Sequence, residues 1–165
     1  MQHPLDEAPE KLCADLLEQA GGHALLREAC AEASAVWDGD VTRPRGPRAA
    51  LALAEMKADT DTLVAACLAD PRLRDGFDES RMARRHGAPV ARLVADVHRL
   101  NSFSETRAAS ESQAQAENLR RLLLAMVGDA RSIVIKLAYR LERLRALPFV
   151  EDDALRRQVA RETLD

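Results

Sequence analysis

Apolar residues in this chain recur every three or four positions and almost nowhere every second one, and that period decides what it can fold into. The run QAQAENLRRLLLAMVGDARSIVIKLAYRLERLRAL, Gln113 to Leu147, shows it most plainly. Leu122, Leu123, Met126, Ile133, Ile135, Leu137, Leu141 and Leu144 form a stripe at helical spacing, which is expected to build core. Ala, Leu, Arg and Glu dominate and aromatics are only 3%, so strand formers are scarce. The chain is expected to be all-α, a bundle of about eight to nine helices.

Breakers divide the pattern. Helices are expected near Ala8–Ala20, stopped by Gly21-Gly22, and His23–Trp37, stopped by the Asp38–Pro47 loop. Arg48–Ala58 and Thr62–Ala69 follow, the second capped by Asp59 or Asp61 and ended by Pro71. Pro71–Phe77 reads as a loop, Glu79–His86 as a short helix closed by Gly87, and Pro89–Leu100 as the next helix. A polar connector, Asn101–Ser112, leads to Gln113–Val127, Ala130–Leu147 and Asp152–Thr163.

At 165 residues the chain is long enough for one domain with a substantial core. Its formal net charge of -3, from 24 basic and 27 acidic residues, gives no general attraction to nucleic acid or membrane. No apolar run approaches a spanning helix, and MQHPLDEAPEK is too acidic for a signal peptide, so a cytoplasmic protein is expected. Cys13, Cys30 and Cys67 are widely spaced on apparent helices and read as buried free thiols. His3, His23, His86 and His98 are scattered, without a His or Asp neighbour at ligand spacing, and read as ordinary residues. Arg120, Arg121, Arg140, Arg143 and Arg145 interleave with Glu117 and Glu142, as on a solvated face laced by ion pairs.

The C-terminal half, NLRRLLLAM followed by IKLAYRLERLR and ARETLD, resembles the N-terminal HD hydrolase domain of the RelA/SpoT family, the enzymes that make and break (p)ppGpp. That resemblance covers roughly Arg43 to Asp165, with residues 1–42 as additional N-terminal helices and 43–165 as the HD-like core of a single domain. It implies a divalent metal site and shows its ligands replaced. The first ligand, a His opening an HPLAVAE-like helix, corresponds to Ala49; the His-Asp dyad corresponds to Ala69-Asp70; the aspartate of IKLADRL is Tyr139. The Glu-Asp pair that activates water corresponds to Leu73 and Arg74. The guanine-holding basic loop survives only as RPRGPR, with Arg43 and Arg45, and HNMRT has become Glu142-Arg143-Leu144-Arg145-Ala146, leaving Arg143.

One carboxylate is too few donors for a catalytic ion, which uses about three converging protein ligands. The resemblance therefore implies a catalytically inactive pseudo-hydrolase domain of the RelA-like branch, with no metal or cofactor of its own. Its expected partner is the synthetase domain of the same, longer polypeptide, a GTP pyrophosphokinase of the stringent response. Two alternatives stand beside it: a divergent HD phosphohydrolase using Asp70, Asp75 and Asp78, or a module that senses (p)ppGpp or another guanine nucleotide without cleaving it. The sequence leaves open the oligomeric state, the face turned to the synthetase and any ribosome contact by the whole protein.

Overall fold

A computed structural model describes residues 7–40, 45–108, 117, 121, 128–150 and 152–164. Among these residues the chain is all-helical, with no strand. The α-helices are α1 (Pro9–Ala20), α2 (Ala24–Ala35), α3 (Gly46–Glu55), α4 (Thr60–Leu68), α5 (Glu79–His86), α6 (Ala88–Ala108), α7 (Ala130–Ala146) and α8 (Asp153–Leu164). None is long and apolar enough to cross a membrane among the described residues.

The centre is α4. Every residue from Thr62 to Leu68 is buried, as in a helix surrounded by protein on all sides, and α2, α3, α6 and α7 pack around it. Alanines at 49, 50, 65, 66 and 69 let these helices approach closely. The closest approach falls where α3 begins: a Cβ on Gly46 would lie 2.2 Å from the carbonyl oxygen of Cys67, so only glycine fits. Asp59, rather than Asp61, caps α4 by accepting from the Thr62 N–H at 3.0 Å. Arg131 links that cap to the start of α7, pairing with Asp59 at 3.1 Å and Asp129 at 2.6 Å.

Several boundaries and roles depart from the sequence reading. Pro71–Gly76 is a 3-10 helix rather than a loop, opened by Asp70 and by the fixed φ of Pro71. Helix α6 continues through Ala108 instead of stopping at Leu100, because NSFSETRA contains no Gly or Pro to break it. The expected helix Gln113–Val127, with Leu122, Leu123 and Met126, lies outside the described residues except for Glu117 and Arg121.

The expected stripe on α7 is also corrected. Its core-facing residues are Ser132, Ile135, Ala138, Tyr139, Glu142 and Ala146, whereas Leu137 is 56% exposed and Leu141 and Leu144 are exposed beside it. Both sets recur at helical spacing, and packing against α3, α4 and α6 buries the first. Glu142 is buried rather than solvated; burial raises its pKa although Arg145 pairs with it at 2.7 Å.

The cysteines are corrected too. Cys13 and Cys30 pair as a disulfide between α1 and α2, with Cα atoms 5.9 Å apart, and only Cys67 is a buried free thiol. Separation along the chain hid the pairing, since the two helices meet only in the fold. Both helices join the main core through Leu16, Leu26, Ala29 and Cys30.

Candidate functional site

The four positions matched to metal ligands are all buried where α3, α4 and α7 meet. Asp70 follows the end of α4, is 1% exposed, and uses both carboxylate oxygens within the protein. Oδ2 accepts the Gly46 N–H at 2.8 Å and Oδ1 accepts the Arg72 N–H at 3.0 Å. The Arg72 guanidinium lies 3.3 Å from Oδ1, donates to Asp38 at 2.8 Å and to the Asp40 carbonyl at 2.9 Å, and is almost wholly buried. Asp70 thus holds the start of α3 and carries its own counter-ion.

Tyr139 reaches into the same core from α7. Its hydroxyl donates to the Ala66 carbonyl at 2.6 Å. Burial, with the nearby Asp70 charge adding to it, raises its pKa well above the ordinary phenol range, so it stays neutral. Ala49 and Ala69 present only methyl groups to the core.

The helix opening itself is four residues earlier than Ala49. Arg45 caps α3, and its carbonyl accepts the first intrahelical bond, from Ala49 N–H at 3.1 Å. Arg45 is therefore the residue at the mouth of the helix beside Asp70's partner Gly46, and Ala49 lies one turn inside. Its side chain is buried over the Trp37 ring, 4.3 Å from the centroid, while Arg72 sits 4.7 Å from the same centroid. Arg45 Nη1 donates to the Glu7 carbonyl at 2.8 Å; Nη2 is buried without a hydrogen-bond partner among the described residues. Burial is the largest cause of its lowered pKa, followed by the charges of Arg48 and Arg72.

Leu73 packs against the core, and Arg74 donates to Ser102 at 2.9 Å. Arg143 lies on α7 and Arg43 falls outside the described residues. Asp78 caps α5 through the Arg81 N–H at 2.7 Å, and Asp75 is exposed, so Asp70, Asp75 and Asp78 do not assemble into a ligand set. A divalent ion does not fit this centre: its single carboxylate is already paired, and the nearest cations are two guanidinium groups.

Among the described residues, one set of three metal-ligating side chains does converge: Glu28, Glu32 and His86, with donor atoms within 4.8 Å of one another. Sequence spacing missed it, because His86 lies 54 residues from Glu32. The Glu28–Glu32 pair at i, i+4 was the only local signal.

The HD domain family model matches residues 24–165, reaching further toward the N-terminus than the motif resemblance. The bifunctional (p)ppGpp synthase/hydrolase SpoT of Escherichia coli K12 is 42% identical over 113 residues, covering 68% of this chain and 16% of that protein. A GTP pyrophosphokinase of Myxococcus xanthus is 35% identical, covering 68% and 15%, and a probable GTP pyrophosphokinase of Mycobacterium leprae is 36% identical, covering 68% and 14%. The chain thus spans about a sixth of the length of these relatives. It belongs to the HD domain family and, within it, stands with the RelA/SpoT-type synthases and hydrolases of (p)ppGpp.

Proposed function

We propose that this chain is a catalytically inactive, hydrolase-like HD domain that regulates the adjacent synthetase domain of a cytoplasmic RelA-type GTP pyrophosphokinase. The observation that carries the reading is the bonding of Asp70. The one carboxylate left at the matched ligand positions is already used by the Gly46 and Arg72 N–H groups and by the Arg72 guanidinium. Recruiting it for a metal would take from the buried Arg72 guanidinium one of its carboxylate partners and from the Gly46 N–H its acceptor, which costs a few kcal/mol. Without a metal and a positioned carboxylate pair, nothing generates a nucleophilic water for attack on a 3′-pyrophosphate. What remains selectable is the scaffold: a packed helical core that bears on the domain beside it.

A second reading, binding of (p)ppGpp or another guanine nucleotide without cleavage, draws support from Arg45 Nη2, which has no hydrogen-bond partner among the described residues and is a donor suited to an anionic oxygen.

The test is activity in two settings. Incubated with ppGpp and Mn²⁺, the chain should release no pyrophosphate above the buffer rate. Turnover that Asp70→Asn abolishes would establish the divergent phosphohydrolase instead. In the full-length protein, deleting this domain should change the rate or regulation of synthesis, and an unchanged synthetase would overturn the regulatory role.

A further inference from the structure

Glu28 and Glu32 stand one turn apart on α2, so both carboxylates leave the same face of the helix. His86 is the last residue of α5, held there because the chain turns away at Gly87, whose φ of 96° is a glycine conformation. The imidazole is 4% exposed; Nε2 lies 3.1 Å from Glu32 Oε1, and Nδ1 has no hydrogen-bond partner among the described residues. The carboxylates are half-buried and open toward solvent.

We propose that Glu28, Glu32 and His86 form a site for a divalent transition metal of the zinc type, separate from the HD centre and clamping α2 to α5. Bonds of about 2.0–2.2 Å place neighbouring ligand atoms roughly 2.9–3.5 Å apart, which the Nε2–Oε1 separation already meets. One imidazole with two carboxylates suits Zn²⁺ and its neighbours in the transition series better than Mg²⁺ or Ca²⁺, which prefer an all-oxygen shell. The end of α5 adds a favourable field, because its last carbonyls point a partial negative charge outward.

Arg85 competes for the same oxygens. Its Nε lies 2.6 Å from Glu28 and its Nη1 2.9 Å from Glu32. With 45% of its side chain exposed, it can swing into water as an ion enters. The site is therefore exchangeable, with Arg85 as its internal competitor.

The test is calorimetric titration of Zn²⁺ into the chelator-treated chain at about pH 7. Wild type should take up one equivalent, Arg85→Met should bind about tenfold more tightly because two half-exposed ion pairs no longer compete, and Glu28→Gln/Glu32→Gln should bind none. Circular dichroism checks that each variant is folded, and the two glutamates are exposed enough for the double variant to fold where a change at His86 would not. Absence of binding by both wild type and Arg85→Met, or binding unaltered in the double glutamine variant, overturns the site. Asp70→Asn should bind as wild type does. Loss of Zn²⁺ in Asp70→Asn but not in the double variant would place the ion at the HD centre, overturning both this inference and the inactive-domain reading.

Discussion

The α3–α4 centre and the α2–α5 edge hold the same ingredients, carboxylates and guanidinium groups within 4 Å of one another, and differ in where the cation and the solvent are. At the centre, Arg72 is almost wholly buried and bonded to three separate groups, so Asp70 has a permanent counter-ion. At the edge, Arg85 is half in water and an imidazole shares the Glu32 carboxylate. Ligand capacity depends on lone pairs that can be released at small cost. The place where the family motif would hold an ion is consequently the poorer site for one, and an unmarked helix pair is the better.

The comparison breaks most easily through stability. Asp70→Ala should cost about 2–4 kcal/mol, since it removes one carboxylate from the buried Arg72 guanidinium, which keeps Asp38, and leaves the buried Gly46 N–H without its acceptor. Glu28→Gln should cost less than about 1 kcal/mol, as expected for half-exposed pairs that water can replace. Urea unfolding of both variants reads the difference directly. Equal losses would mean that Asp70 is not the structural hub its bonding describes.

The same division explains what the sequence could reveal. The Asp59 cap and the Gly21 stop are local signals, read within a few residues of where they act. The absence of histidines near Asp70 was equally visible. The partners of Asp70 were not: the Arg72 guanidinium and the Gly46 N–H reach its oxygens, the second from 24 residues away, and Arg45 and Arg72 meet over Trp37, which no spacing rule encodes. The match of the lost ligand to Ala49 rests on aligned apolar positions, and the helix itself starts at Gly46, behind Arg45. On α7 the choice between two equally periodic faces fell to Ser132 and Glu142, buried polar residues that a hydrophobic pattern assigns outward. Propensity and capping were legible, whereas the choice of face and the long-range polar pairs were settled by packing.

A smaller effect should separate the two partly or fully buried imidazoles. His86 faces a carboxylate, whereas His98 packs edge-on against Phe77, with ring centroids 4.7 Å apart, near the Arg74 cation. Burial first, and then Arg74, pushes the His98 pKa down to about 4 from its ordinary 6.5. Because the folded-state value is depressed, the unfolded chain takes up the proton first as pH falls. Stability from this group is therefore intact near neutrality, erodes between about pH 6.5 and 4, and is fully lost below. After allowance for solvent screening of a partly exposed ring, the loss should be about 1–2 kcal/mol. His98→Leu should flatten that part of the stability curve relative to wild type, and a curve of unchanged slope would remove His98 as its source.

Tyr139→Phe probes the centre with the least disturbance. The ring still fills the space between α4 and α7, and only the bond from its hydroxyl to the Ala66 carbonyl is lost. That should cost about 1 kcal/mol, the net worth of one hydrogen bond whose acceptor retains its helical surroundings. If Tyr139 were instead a dormant ligand, removing the oxygen would alter Mn²⁺ affinity, and thermal unfolding with and without Mn²⁺ would show the change. A midpoint lowered equally in both conditions is the expected result, because the oxygen serves α4 rather than an ion. Tyr139→Asp should do worse, not better: it places a second carboxylate in the core near Asp70 while Arg45 and Arg72 keep their positions, so the restored motif residue destabilises the fold without restoring a site.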